Sequence, residues 1–251
     1  MAIIYGVHAV AEALAARRVS RLLHVRGAGR RVEEIRARAE ELRIPVETLD
    51  RRALDRLTRG GVHQGVAADL EALRAFTLEE LVRDVEGPPL VVVLDGVEDP
   101  QNVGAIVRSA DGAGAHGLVR QARRAARLEG AAARASAGAV AHARIATVIN
   151  IARALEELRD LSVWSVGLDG SASEPYDAVD YTQPTALVLG AEAKGLRHLV
   201  RERCDRVVRI PMAGPVESLN VSVAAGVVLF EAARQRRLAA EKREFDPGSR
   251  E

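Results

Sequence analysis

The sequence predicts an α/β protein whose main sheet is mostly parallel. Residues 90–94 are continuously apolar, as in strands that are buried on both faces of a sheet. From there to residue 210, strand-like and helix-like segments alternate, which is typical of a parallel sheet covered by helices. With 251 residues, of which 48% are hydrophobic, the chain is long enough for one large domain or two ordinary ones.

Residues 1–70 are predicted to form a separate, small α/β domain. The spacing of apolar residues alternates there between the helical and the strand period. We predict helices at 10–16, 32–42 and 52–58, and strands at 21–25, 45–49 and 66–69. A cluster of turn-forming residues occupies 60–65, and residues 71–88 form a linker with one short helix.

Residues 89–237 are predicted to form the larger domain. Its predicted strands are 90–94, 117–119, 145–148, 162–167, 186–189 and 207–210. Its predicted helices are 103–113, 128–136, 151–158, 196–204 and 221 to about 235. The last helix is apolar on several sides, which predicts that one face packs on the sheet and another on a partner subunit. From residue 236 the chain is predicted to fray, with residues 238–251 as a charged flexible tail.

Three predicted strands are each followed by a loop rich in turn-forming and polar residues. These loops are 95–104, which leads into a helix carrying Arg108, then 190–196, and then 211–220. In a parallel sheet such loops leave the same carboxyl edge, where ligands bind. The sequence therefore predicts one shared ligand site at this edge.

The first loop and its helix combine several groups suited to a polar ligand. Asn102 is able to cap the helix, Gly104 would let a ligand approach the backbone, and Arg108 lies one turn further on. The simpler interpretation of Arg108 alone is a surface salt bridge.

The second and third loops add further groups of this kind. Glu192 stands between Gly190 and Gly195, and a bare Gly190 would let a planar group lie against the strand end. Ser218 and Asn220 precede an apolar helix and are both good caps for its first amides. Taken alone, Glu192 could equally be a solvated turn residue.

Composition excludes several classes of site and partner. The chain has one cysteine, and its six histidines lack ligand spacing, so we expect neither a disulfide framework nor a metal site. We find no secretory signal and no apolar run of membrane-spanning length, and we therefore expect a cytoplasmic protein. Residues 115–145 hold six arginines against one glutamate, which indicates either a solvated face or a surface for RNA.

One segment matches the dinucleotide-binding fingerprint in its residue types but not in its structural context. Residues 112–117 match the glycine spacing, but they follow a predicted helix and precede a predicted strand. The fingerprint requires the opposite order, so a nicotinamide-dependent enzyme is the weakest alternative.

The three loops together resemble the signature motifs of the SpoU (TrmH) family of RNA ribose 2′-O-methyltransferases, of the SPOUT superfamily. The first motif is Asn102, Gly104 and Arg108, the second covers 189–196, and the third covers 218–224. Residues 134–139 and 147–153 also resemble the middle of that family, and 62–65 resemble the end of its N-terminal domain. The sequence departs from the family pattern at 193–194 and 118–121, and neither segment contains a residue expected to act in the reaction.

The resemblance implies a fold, a cofactor and a set of site residues. It implies a deep trefoil knot at the C-terminal end of the sheet and a homodimer formed through the knot domain. S-adenosyl-L-methionine would bind against Leu189, Gly190, Ile210, Met212, Ser218, Leu219 and Asn220. The residues expected to act in the reaction are Asn102, Arg108, Glu192, Ser218 and Asn220. Arginine does not deprotonate in proteins, so we expect Arg108 to position and stabilise charge, with Asn102 and Glu192 orienting it.

The implied substrate is ribosomal RNA, and the likeness is strongest to enzymes that methylate a guanosine of 23S rRNA. The N-terminal domain would hold the RNA, whose 2′-hydroxyl is accessible in single-stranded loops. A tRNA ribose methyltransferase, an antibiotic-resistance rRNA methyltransferase and a non-catalytic ribosome-assembly protein remain as alternatives. The intact motif residues argue against the last of these.

Overall fold

The protein is described by a computed structural model that covers residues 2–15, 17–70, 74–123, 125–126, 128, 131–192 and 194–245. The strands are β1 (Ala2–Tyr5), β2 (Val19–Val25), β3 (Val46–Leu49), β4 (Val66–Leu70), β5 (Ala75–Phe76), β6 (Leu90–Asp95), β7 (Gly117–Gln121), β8 (Ile145–Val148), β9 (Trp164–Leu168), β10 (Glu174–Pro175), β11 (Thr185–Gly190) and β12 (Arg206–Arg209). The helices are α1 (Val7–Ala15), α2 (Arg30–Glu41), α3 (Arg51–Leu57), α4 (Leu78–Val82), α5 (Pro100–Gly112), α6 (Ala131–Ala135), α7 (Ile151–Asp160), α8 (His198–Arg203) and α9 (Val221–Phe245).

The larger sheet is parallel throughout, as the sequence predicts. Its strand order is β10-β12-β9-β11-β6-β7-β8-β5. Every neighbouring pair of these strands runs in the same direction. The strands before all three motif loops therefore point the same way, and their carboxyl ends share one edge.

Two apolar layers cover this sheet, and the alternation of side chains along β6 shows how. All six residues of β6 are buried. Val92 and Leu94 face a core shared with α5 and α9, whereas Val91 and Val93 face a core shared with α4, α7 and α8. Burial on both faces explains why this strand has no polar alternation.

The N-terminal residues form their own four-stranded sheet, in the order β1-β4-β2-β3. Strands β1 and β2 are antiparallel to β4, and β3 is parallel to β2. The sequence analysis missed β1, whose four residues lie at the start of the chain. This sheet contacts the larger part of the protein through α6: Ala133 joins its core, and the Arg134 guanidinium lies 5.1 Å from the centre of the Tyr5 ring.

The C-terminal helix is longer than the sequence suggests. The prediction of a frayed tail from residue 236 is wrong as far as 245, because α9 continues to Phe245. Arg236 is the reason that the structure offers: its guanidinium donates to the backbone oxygens of Pro88, Pro89, Tyr181 and Gln183. Residues 246–251, the rest of the predicted tail, lie outside the described residues.

Of two smaller predictions, one differs from the structure and the other is confirmed. The predicted helix 128–136 is the shorter α6, and its residues 129 and 130 lie outside the described residues. The glycine pattern at 112–117 does span the end of a helix and the start of a strand, α5 and β7, so its context is not that of a dinucleotide site.

Candidate active site

A cavity of about 130 Å³ lies at the carboxyl edge of β9, β11 and β12. These are three consecutive neighbours in the sheet, so the loops that leave them are brought side by side. The lining residues are Leu168, Asp169, Gly170, Leu189, Gly190, Ala191, Glu192, Gly195, Ile210, Met212, Glu217, Ser218, Leu219, Val221 and Ala224. The cavity therefore combines apolar side chains from strand ends with carboxylates and backbone from the loops.

Six of the seven residues expected to contact a cofactor line this cavity: Leu189, Gly190, Ile210, Met212, Ser218 and Leu219. The seventh, Asn220, is not among the lining residues but stands between Leu219 and Val221, which are. Glu192 and Ser218 are exposed at the cavity wall. The second and third motifs thus meet here, as the parallel sheet requires.

The loop after β11 is folded back tightly on the strand end. Ala191 and Gly195 exchange two backbone hydrogen bonds, of 3.0 and 2.8 Å. A Cβ on Gly190 would lie 2.2 Å from the carbonyl carbon of Gly195 and 2.3 Å from the amide nitrogen of Leu196. Gly190 is therefore needed because residues 195–196 of the same chain pack directly against it. The expectation that it leaves room for a planar ligand is corrected accordingly.

An ion pair between a buried carboxylate and a half-exposed arginine fixes the same loop to the neighbouring strand. Asp95, at the end of β6, is fully buried and accepts hydrogen bonds from the backbone nitrogen and the Nε of Arg197, at 2.8 and 2.6 Å. No local sequence pattern indicates this pair, since the partners are 102 residues apart. The pair ties the carboxyl end of the second motif loop to the end of β6.

A fourth loop, after β9, contributes to the cavity and was also missed. It brings Leu168, Asp169 and Gly170 to the wall, and an Asp-Gly pair after a predicted strand was the available signal. Burial raises the pKa of Asp169, but hydrogen bonds from Ser171 and the charge of Arg201 outweigh it and lower that pKa overall. Asp169 thus supplies a negative charge beside the cavity.

A line of hydrogen bonds joins the first motif to the third. The side-chain nitrogen of Asn102 donates to Asp99 Oδ2 at 3.1 Å, and that of Asn220 donates to Asn102 Oδ1 at 3.1 Å. Asn220 Oδ1 in turn accepts from the backbone nitrogen and hydroxyl of Ser222, at 2.9 and 2.6 Å. Asn220 therefore caps α9, as predicted.

The cap of α5 is Asp99 instead of Asn102. Asp99 Oδ1 accepts from the backbone nitrogen of Gln101 at 2.9 Å, while Asn102 is buried inside the first turn. Gly104 is also not open to a ligand, because a Cβ there would lie 2.4 Å from the Ala132 oxygen. Its absent side chain lets α6 pack closely on α5.

Arg108 lies apart from the cavity in this chain. It is exposed on α5, one turn beyond Gly104 and so on the side of the helix that faces α6. No hydrogen bond or ion pair joins it to another residue that the structure describes. The structure does not bring Arg108 into contact with Glu192, which the sequence analysis expected to orient it.

Of the four arginines between 115 and 145 that the structure describes, three contact the protein itself. Arg120 donates to the Ala126 oxygen, Arg134 covers Tyr5, and the Arg144 guanidinium lies 5.3 Å from the centre of the Phe76 ring. Arg123 is exposed, whereas residues 124 and 127 lie outside the described residues. Arg120, Arg134 and Arg144 are therefore held by contacts within the protein, which reduces the number of described guanidinium groups available for the expected RNA surface.

The described residues form neither a metal site nor a membrane span. Within them, no three side chains among histidine, cysteine, aspartate and glutamate are grouped as metal ligands would be. None of the helices described has both the length and the apolar content needed to span a membrane.

Two family models match the chain. The SpoU rRNA methylase family matches residues 89–230, which contain the cavity and all three motifs. The model described as RNA 2′-O ribose methyltransferase substrate binding matches residues 3–76, which contain the N-terminal sheet except for Ala2.

Individual proteins are similar over almost the whole length. The 23S rRNA (guanosine-2′-O-)-methyltransferase RlmB of Pseudomonas syringae pv. tomato is 46% identical over 240 residues, which cover 93% of this chain and 95% of the relative. The crystal structure of the SpoU methyltransferase AviRb from Streptomyces viridochromogenes superposes with a TM-score of 0.80 at 30% identity, covering 94% of this chain and 90% of the other. AviRb in complex with the cofactor AdoMet superposes with a TM-score of 0.79 over the same shares.

Proposed function

Because the chain belongs to the SpoU family of rRNA methylases, we propose that it transfers the methyl group of S-adenosyl-L-methionine to the ribose 2′-hydroxyl of a guanosine in 23S rRNA. The observation that carries the proposal is the cavity built from the second and third motifs and hydrogen-bonded through Asn220 to the first. The 46% identical relative is named for this reaction. Since ribosomal RNA is the substrate, we also propose a cytoplasmic location.

The cavity wall fits the proposed cofactor. Leu189, Ile210 and Leu219 provide apolar surface for a flat ring system. The carboxylates of Asp169, Glu192 and Glu217 suit ribose hydroxyl donors and a positively charged sulfonium or amino group. S-adenosyl-L-methionine, when bound, supplies a methyl group on that sulfonium.

The protein's own residues then have to align the ribose oxygen and stabilise the charge that develops on it. Arg108 is permanently charged, so it acts by attracting and positioning the 2′-oxygen or its neighbouring phosphate rather than by taking its proton. Asn102 and Asn220 fix the starts of α5 and α9 relative to each other, and Ser218 and Glu192 stand at the cavity wall. Because Arg108 lies outside the cavity, we propose that the bound RNA or a second subunit completes its surroundings.

The domain division is part of the proposal. Residues 1–70 would hold the RNA, 71–88 would link the domains and 89–237 would carry the reaction, whereas residues 238–245 of the expected tail continue α9. The match of a substrate-binding model to residues 3–76 supports the first of these roles. Membership of the family supports a deep trefoil knot formed by the chain around 189–221.

A direct test is methylation of unmodified 23S rRNA with labelled S-adenosyl-L-methionine, followed by mapping of the 2′-O-methyl position. We expect one guanosine to be modified. Arg108→Ala should lower kcat by at least about a hundredfold, the usual effect of removing a group that stabilises developing charge. Its cofactor affinity should not change, because Arg108 does not line the cavity.

Arg153→Ala is the matched control, since Arg153 is also an exposed arginine on a helix, paired with Glu157 at 3.2 Å. It should methylate as the wild type does. Full activity of Arg108→Ala would refute the role of Arg108, and modification of tRNA alone would refute the rRNA assignment.

We further propose a homodimer formed through α9. Val223 and Phe230 stand two turns apart on one side of this helix and are 51% and 54% exposed. Large apolar side chains in such a row indicate a contact surface. Sedimentation should show a dimer for the wild type and a monomer for Val223→Asp/Phe230→Asp. A wild type that stays monomeric at all concentrations would refute the dimer.

A further inference from the structure

We infer that Asp99 is a positioning residue that sets the amide orientation of Asn102 and Asn220, and through them holds the cavity wall at 218–221. The effect on cofactor binding rests on the proposed function, whereas the hydrogen-bond order itself does not. Asp99 lies three residues before Asn102 and is not one of the residues of the three signature motifs.

The two ends of the hydrogen-bond line have opposite requirements. At one end, the Asp99 carboxylate can only accept, and it receives both the Gln101 amide and the Asn102 side chain. The hydrogen bond from Asn102 and that from Gln101 lower the pKa of Asp99, so it is ionised at neutral pH. At the other end, the backbone N–H of Ser222 can only donate, and it requires the oxygen of Asn220.

The two amides between these ends could each adopt either orientation, since oxygen and nitrogen are similar in size and shape. With an acceptor at one end and a donor at the other, only one order satisfies every group. Asn102 must turn its nitrogen to Asp99 and its oxygen to Asn220, and Asn220 must turn its nitrogen to Asn102. The fixed charge of Asp99 and the Ser222 amide therefore require the same orientation of Asn220 from opposite ends of the line, and a change at Asp99 puts the two requirements in conflict.

Asn220 transmits this orientation to the cavity. Its neighbours Ser218, Leu219 and Val221 all line the cavity, and its own oxygen caps α9. Residues 211–220 have no helix or strand of their own, so the cap is what fixes the end of this loop. Loss of the cap would loosen the wall that Ser218, Leu219 and Val221 form.

Asp99→Asn tests the inference with almost no change of shape. Asparagine caps helices as well as aspartate does, so α5 keeps an acceptor for Gln101. Its nitrogen, however, would face the nitrogen of Asn102, and either Asn102 or Asn220 must then turn round and lose a partner. We expect the Kd for S-adenosylhomocysteine to rise roughly five- to tenfold, the effect of losing about one net hydrogen bond. We also expect faster hydrogen exchange at the Ser222 amide without any ligand.

The exchanged pair Asp99→Asn/Asn102→Asp supplies the decisive comparison. It keeps the net charge, and its carboxylate at position 102 accepts from both the amide introduced at position 99 and the nitrogen of Asn220. Protection of the Ser222 amide and affinity for S-adenosylhomocysteine should therefore return toward the wild-type values, even if methyl transfer does not. A residue that merely capped α5 would give no such recovery.

Asp50→Asn is the matched control, because Asp50 caps α3 with a 2.6 Å hydrogen bond from the Ala53 amide and lies in the N-terminal sheet's domain. It should leave cofactor affinity and Ser222 exchange unchanged. The inference is overturned if Asp99→Asn also leaves both unchanged, or if the exchanged pair recovers neither. Because neither readout uses RNA, a failure to methylate 23S rRNA would overturn the proposed substrate without affecting this result.

Discussion

Gly190→Ala is expected to abolish cofactor binding and to lower the stability of the larger domain. An added Cβ would lie 2.2 Å from the Gly195 carbonyl carbon, 2.3 Å from the Leu196 nitrogen and 2.4 Å from the Gly195 oxygen. These are backbone atoms, so no side-chain rotation can relieve the contact. The loop must move away from the strand end, and Leu189, Gly190 and Ala191 form the cavity wall at that point.

The loop has little freedom to move. Ala191 and Gly195 are joined by two backbone hydrogen bonds, and Asp95 holds Arg197 at the far end of the loop. We therefore expect a loss of about 3 kcal/mol in the free energy of unfolding, at the upper end for an overpacked site. For a domain of this size that corresponds to a fall in Tm of roughly 6–12 °C.

Gly214→Ala is the control for this prediction. Gly214 lies in the loop after β12 near the same cavity, an added Cβ there has no heavy atom of the described residues within 4 Å, and its φ is not positive. Thermal denaturation and calorimetry with S-adenosyl-L-methionine should show wild-type behaviour. If Gly190→Ala binds the cofactor with unchanged affinity, the close packing of residues 195–196 on Gly190 is not needed for the site.

The parallel sheet was predictable because the pattern that encodes it is local. Residues 90–94 of β6 are an uninterrupted apolar run, and such a run indicates burial on both faces of the sheet. Once the strands are parallel, the motif loops must share an edge. The pattern predicted that the three loops share one edge, the family resemblance assigned Leu189, Ile210 and Leu219 to the cofactor, and all three line the cavity.

The contacts between side chains were not predictable in the same way. Asn102 and Asn220 are 118 residues apart, and nothing in either motif states that they form a hydrogen bond. Gly104 was interpreted as an opening for a ligand, because glycine indicates that another group approaches the backbone closely. The residue type does not indicate which group that is. The approaching group is the backbone of Ala132, from a helix whose position depends on the tertiary fold.

The same limit explains the error at the C-terminus. Charged residues with little apolar spacing follow residue 235, and such a pattern indicates a solvated tail when read locally. The partners of Arg236 lie up to 148 residues away, in the segments that lead into β6 and β11. The part of α9 beyond residue 235 is thus held by backbone carbonyl oxygens that are distant in sequence, which its own composition does not indicate.

Arg236→Met is expected to be the most destabilising substitution of a charged residue in α9. The Arg236 guanidinium donates to Tyr181 O at 2.8 Å, Pro89 O at 3.0 Å and Gln183 O at 3.1 Å, and also to Pro88 O. Burial lowers the pKa of Arg236, but an arginine remains charged at any pH near neutrality. Methionine keeps the apolar stem and leaves these carbonyl oxygens without their charged donor.

We expect a loss of about 4 kcal/mol in the free energy of unfolding, since hydrogen bonds to charged groups contribute about 1.5–3 kcal/mol each and the bonds of one group are not additive. Denaturation by urea measures this loss directly. Arg237→Met is the matched control, because the Arg237 side chain is 69% exposed and its 3.8 Å pair with Glu241 contributes at most about 0.5 kcal/mol.

If the two variants lose the same small amount of stability, the carbonyl contacts do not hold α9, and the helix beyond residue 235 must be fixed by another contact. If only Arg236→Met is destabilised, the segments before β6 and β11 are tied to α9 at the edge of the sheet opposite the cavity. Since α9 begins at the Asn220 cap, one helix then connects the packing of the sheet's amino edge to the cofactor wall at its carboxyl edge. Cofactor affinity of Arg236→Met, measured well below its Tm, should accordingly fall together with its stability.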